Sequence, residues 1–219
     1  MLDRLLEEEH IAIRGISVTS VGAVNAPIMA DGYGRGGLDA AKAELHRFWE
    51  SVSQYGAISP YHWSAVGFGW SPLALWFDVS SLLSAYKINT FNIDPLHTVL
   101  AKTTDSERLR CCASVKLYIS ATSTNTNRLC VFTAPELSIE TLLASICLPQ
   151  LRQAVEINGG YMGNPVLETL VRFCKSNDII IVQINPNRRD GLLSTAPQFG
   201  DRVNEITFDA SLLRELRSM

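Results

Sequence analysis

Apolar positions along the chain switch between a helical and a strand period, and the switches mark the elements. Leu2, Leu5 and Leu6 stand at helical spacing in an acidic stretch, so residues 2–10 predict a short opening helix with one apolar face. Ile11 to Val18 alternates and then runs apolar, which predicts a strand. The run stops at Thr19-Ser20, and Val21-Gly22-Ala23-Val24-Asn25-Ala26 begins a helix at once. A second helix spans 37–55 on the apolar face of Ala40, Ala43, Leu45, Phe48, Trp49 and Val52, with Gly56 as its stop. Periodicity is then lost over 57–110, which is crowded with Tyr61, Trp63, Phe68, Trp70, Trp76 and Phe77 and punctuated by Pro60, Pro72 and Pro95.

Strand period returns at 114–122, a polar turn occupies 123–128, and 129–133 comes back as a second strand, so a hairpin is expected. Ser138 caps a helix running to Cys147, with Glu140 in its first turn and Pro149 as its stop. Residues 155–157 read as a short strand, Asn158-Gly159-Gly160 as a turn, 165–176 as a helix and 179–184 as a fully buried strand of parallel type. A loop over 185–200 leads to a last helix over 203–219, with Ile206, Phe208, Leu212, Leu213 and Leu216 on its face. The glycine-rich stretch Asp31 to Gly37 joins two helices. A phosphate cradle needs a strand before it, and none stands there.

The passage Gly15 to Ala26 carries the candidate chemistry. An apolar run feeds a serine two residues before a glycine, and a helix follows, which is the wiring of a nucleophile elbow. Ser20 is the apex, Gly22 the second small position, and Ala23 and Ala26 keep the helix slim against the sheet. Val18 stands where the pattern calls for glycine. Its two extra methyls predict strain of roughly 1–3 kcal/mol where strand and helix cross.

The words Thr-Ser-Val-Gly-Ala-Val-Asn-Ala around Ser20, then Ala30-Asp31-Gly32 and Gly36-Gly37, resemble the patatin-like phospholipase family. Ala144-Ser-Ile-Cys-Leu-Pro149, Gly159-Gly-Tyr-Met-Gly-Asn-Pro165 and Ile181-Val-Gln-Ile-Asn-Pro186 resemble later words of that family in the same order. The resemblance implies a three-layer α/β/α domain with a mostly parallel central sheet, and a serine acyl hydrolase acting on phospholipids or other lipid esters through a Ser–Asp dyad. Ser20 matches the nucleophile. Asn158 occupies the position of the family's Asp base, and an amide cannot accept a proton as a carboxylate does.

The family's first strand and glycine-rich oxyanion turn would stand before Leu2, and family members continue past Met219, so the resemblance implies a chain clipped at both ends. Losing one member of a hydrolase triad costs about 10⁴ in rate. Losing one oxyanion donor costs about 10²–10³. Asp31, Asp94, Asp178 and Asp190 lie in or near predicted loops, but none matches a family position. His46 reads as a solvated helix histidine, and so do His62 and His97, which have no partner carboxylate at a telling distance.

Composition narrows the function classes. With 219 residues, 47% hydrophobic and 19% charged, the chain can bury a sizeable core as one domain over 1–219. A net charge of −3 excludes steering to nucleic acid. Five cysteines, two of them neighbours, fit neither a metal-ligand spacing nor a disulfide framework, so no metal or cofactor is expected and the thiols read as reduced and buried. The acidic start is not a secretory leader. Trp63 to Tyr86 holds Pro72, Asp78 and several Ser and Gly, which argues against a transmembrane span. A cytoplasmic protein is expected, meeting membranes peripherally where the aromatic segment acts as a lid or interfacial surface. The alternative is a non-catalytic patatin-fold protein that binds acyl lipids or a protein partner through residues 61–77.

Overall fold

A computed structural model of the chain describes residues 2–8, 10–58, 95–111, 114–123, 125–146, 157–159, 163, 166–183, 186, 188–189 and 191–219. The expectations for the aromatic segment 61–77, His62, Asp94, Pro149, Gly160 and Asp190 lie outside the described residues.

Helices α1 (Leu2–Leu5) and α2 (Gly22–Ile58) flank strand β1 (Gly15–Val18) in sequence. There follow α3 (Pro95–Thr103), α4 (Ser106–Cys111), the hairpin β2 (Lys116–Ser123) and β3 (Arg128–Phe132), α5 (Ile139–Ile146), β4 (Ile157–Gly159), α6 (Leu167–Phe173) and α7 (Ala196–Ser218). The strands make one four-stranded sheet with β2 inside it. β1 pairs with β2 in parallel, while β3 and β4 both pair with β2 antiparallel. The described sheet is therefore mixed, where the resemblance implied a mostly parallel one. Residues 124–127 are too few for a crossover, so β3 must return as a hairpin. Asn127 at the turn takes a φ of 53°, which asparagine tolerates.

Alternation along β1 and β2 divides the surroundings of the sheet. Ile16, Val18, Leu117 and Ile119 point into the main core with Ala23, Met29, Phe48, Leu100 and Leu142 from α2, α3 and α5. The opposite face meets α6. A Cβ added at Gly15 would lie 2.3 Å from Cys174 Sγ, and Tyr118 stacks on Phe173 with ring centroids 6.3 Å apart. Burial, with Cys174 nearby, pushes the Tyr118 hydroxyl pKa up.

The long helix α2 is two helices folded on each other. Gly36 and Gly37 leave helical geometry, Gly37 with a φ of 72° that favours glycine. Where the halves cross, a Cβ on Gly32 would sit 2.7 Å from Ala41 Cα, so glycine there is set by close approach. Asp31, with its side chain 4% exposed, accepts from Arg108 at 2.8 and 3.3 Å and pairs with Arg35 at 2.9 Å. Arg35 reaches on to Glu44 at 3.1 Å, so one charge network ties both halves of α2 to α4. Asp31 stands inside a helix and not in a loop as expected.

Three other expectations change. Residues 179–183 form no strand, and Ile179, Ile180 and Val182 are 40%, 59% and 46% exposed. An apolar β-branched run becomes a strand only where a sheet edge accepts its backbone, and residues 179–183 pair with none of the four described strands. The last helix begins at Ala196 and not at 203, because Thr195 caps it and Gln198 reaches back to the Thr195 N–H, a capping box. Among the cysteines, Cys111 is exposed, and Cys130 and Cys174 are half-buried instead of core; all three are free thiols.

Glu215 of α7 accepts from the N–H groups of Leu167 at 2.6 Å and Glu168 at 3.2 Å. Val166 supplies no side-chain cap to α6, and the last helix does so across space. Ser138 caps α5, accepting from Thr141 N–H at 3.3 Å. The Ser138 hydroxyl also holds the Glu140 carboxyl below its ordinary pKa. A depressed carboxylate adds stability above its unfolded pKa and loses it as pH falls through the folded value. Urea unfolding should therefore show a smaller loss of stability between pH 6 and pH 3 in Glu140→Gln than in the parent; equal losses would remove Glu140 from the acid response.

Candidate active site

β1 runs to Val18, Thr19 follows, and Ser20 turns the chain before α2 starts at Gly22. Ser20 has a φ of 53°, one of two non-glycine residues with positive φ among those described. That conformation costs an L-residue roughly 1–2 kcal/mol, and it is what a sharp strand-to-helix turn demands of its apex. Gly22 N–H donates to Thr19 O at 3.0 Å and Ala23 N–H to Ser20 O at 2.8 Å, so the helix winds directly out of the turn. Ser20 remains partly exposed, and Val21 is 46% exposed.

The expected clash at Val18 is met by Gly22. A Cβ built on Gly22 would stand 3.1 Å from Val18 Cβ and 3.2 Å from its Cγ1, tighter than ordinary contact. The pair divides one allowance of space: valine is accommodated on the strand because the helix offers no side chain opposite it. Val18 stays half-buried against the core.

Hydroxyls surround the turn from below. Ser145 of α5, 0% exposed, accepts from Ser20 N–H at 3.1 Å and donates to Ser120 O at 2.8 Å. Thr19 Oγ1 donates to the same carbonyl at 3.3 Å. Ser120 Oγ lies 2.9 Å from Gly163 O and 3.2 Å from Val18 O. Ser145 falls within the word Ala144 to Pro149 quoted above, but no role was assigned to it there. The structure buries it beside Leu142, Leu143 and Ala144, where a hydroxyl needs partners.

The register places the backbone of Asn158 next to the turn. Val18 pairs with Ile119, Gly159 with Ala121 and Asn158 with Thr122. β1 and β4 thus share one edge of β2, and Gly159 stands opposite the residue that position 20 would have faced had β1 run straight on. The chain reaches this point in a strand and not in the expected turn.

Of the other carboxylates, Asp31 is held by Arg35 and Arg108. Asp178 is exposed outside any helix or strand. His46 is solvated on α2 with Glu50 3.9 Å away, as expected. Among the described residues no His, Cys, Asp or Glu group could hold a metal. No helix among them is long and apolar enough to cross a membrane. A groove of about 440 Å³ along α7, lined by Arg202, Ile206, Asp209, Leu213 and Arg217 among others, includes none of the elbow residues.

Ser20 stands at the apex of the strand-to-helix turn between β1 and α2. Among the described residues nothing accepts from the Val21 N–H, the donor that follows the nucleophile in an elbow. No protein-family model, curated protein or solved structure matches the chain.

Two substitutions read the turn. Ser20→Gly should raise stability by about 0.5–1 kcal/mol, the relief of left-handed strain less the entropy of an added glycine, while Ser20→Ala should not; if Ser20→Gly destabilises in urea titrations, the turn is unstrained. Gly22→Ala should cost about 1–3 kcal/mol. That loss should shrink in a Val18→Gly background, and an additive cycle would show that the two positions do not share the space.

Proposed function

We propose that this chain is a patatin-like serine acyl hydrolase domain of three-layer α/β/α type, acting on carboxylic esters of lipids, with turnover held low by Asn158. The observation that carries the reading is Ser20 in the left-handed conformation between the parallel strand β1 and α2. Strain of this kind persists where the surroundings over-determine it, and it concentrates at reactive turns. The adjoining backbone of Asn158 and the available Val21 N–H add support.

In this reading Ser20 Oγ attacks the ester carbonyl carbon, the Val21 N–H meets the developing oxyanion, and the alcohol leaves to give an acyl-enzyme that water hydrolyses. The serine proton needs an acceptor. A carboxylate at 158 would take it, and the Asn158 amide does not. Attack then depends on water as base, which is why slow turnover follows. The same amide favours the second reading, a non-catalytic patatin-fold protein that binds acyl lipids or a partner.

A fluorophosphonate needs only a competent serine to react and so separates the two. Peptide mapping should find the adduct on Ser20 and lose it in Ser20→Ala. Hydrolysis of a short activated ester should be barely above background and rise in Asn158→Asp, by at most the roughly 10⁴ that a missing base costs. An unlabelled Ser20 in folded protein would leave the binding reading.

A further inference from the structure

The parallel ladder between β1 and β2 has a definite phase. Lys116 N–H donates to Arg14 O at 3.0 Å, and Val18 is opposite Ile119, so the even-numbered residues of β1 turn their N–H and C=O groups toward β2. Continued by one step, the same pattern makes Ser20 N–H the next donor and Ser120 O its acceptor. The chain leaves the sheet at that step. The donor and acceptor left behind are joined through a third group, since Ser145 Oγ accepts from Ser20 N–H at 3.1 Å and donates to Ser120 O at 2.8 Å.

We propose that Ser145 is a positioning residue for Ser20: its hydroxyl replaces the missing ladder bond and pins the strained serine to the end of β2. This rests on reading Ser20 as the nucleophile. Three observations make the hydroxyl specific. Ser145 is 0% exposed, so water does not compete for its partners. It sits on a helix whose other buried residues, Leu142, Leu143 and Ala144, are apolar. A hydroxyl is also the smallest side-chain group that accepts one hydrogen bond while donating another, as the gap requires.

An alanine at 145 would leave the Ser20 N–H without its partner, while Ser120 O would keep Thr19. The turn could then relax toward ordinary backbone angles and take the nucleophile with it. A misplacement of about 1 Å at a reacting group costs on the order of 100-fold in rate.

The test compares the full-length parent with Ser145→Ala and Ser145→Cys, the second nearly isosteric with a weak acceptor in place of oxygen. Amide hydrogen exchange should quicken about 10-fold or more at Ser20 in Ser145→Ala, with the β2 amides unchanged, and fluorophosphonate labelling of Ser20 should slow about 10–100-fold. Ser145→Cys should fall between, and it decides the matter if Ser145→Ala does not fold. Labelling at the parental rate, or unchanged exchange at Ser20, overturns the proposal. If the parent itself is not labelled, the hydrolase reading fails separately, and Ser20 exchange alone decides whether Ser145 holds the turn.

Discussion

The fold hangs on where the β1–β2 ladder stops. A parallel pair buries its backbone groups only while both strands continue, and any strand that leaves must hand over its donors and acceptors within a residue or two. Here the exit falls between Val18 and Gly22, and the turn is sharp enough to put Ser20 at a φ of 53°. Strand and helix then approach until Val18 and Gly22 cannot both carry side chains. The hydroxyls of Thr19, Ser120 and Ser145 take up the carbonyls and N–H groups that the sheet no longer serves.

Around that exit the apolar bulk is arranged so that α2 cannot drift. Its two halves fold back at Gly36–Gly37, bring Ala23, Ala30 and Ala41 into the core with Phe48, and leave room for contact with the sheet. Asp31 lies in the same hairpin, and its carboxylate is compensated by Arg108 and Arg35. Interaction with Asp31 in turn raises the Arg108 pKa above its ordinary value. The two arginines hold the buried carboxylate in place between α2 and α4. That is a structural role, and it sets Asp31 apart from the turn at Ser20.

The turn was legible in the sequence because it depends on local order: an apolar run, a serine, a glycine two residues on, and a helix former. The β2–β3 hairpin and the Ser138 cap were legible for the same reason. What escaped depends on partners distant in sequence. Ile179, Ile180 and Val182 look like a buried strand, but they pair with none of the four described strands and stay exposed. Glu215 gives no sign that it caps α6 from another helix. Ser145 is one serine among many until Ser20 and Ser120 are brought to either side of it. Thr195 and Gln198 differ in kind, since their capping spacing stands in the sequence while the apolar residues mark only the helix beyond it.

One edge of β2 is occupied on both sides of Ser120, by Gly15–Val18 and then by Ile157–Gly159. Such an edge makes chain length a discrete variable. One residue inserted before Thr19 would rotate the departing donor away from β2, and two would restore its direction but drive the turn into the backbone of Gly159. Lineages carrying this fold should therefore accept insertions in the hairpin tip at 124–127 far more readily than between Gly15 and Ser20, so that variation in length marks out the turn even where residue identities have drifted.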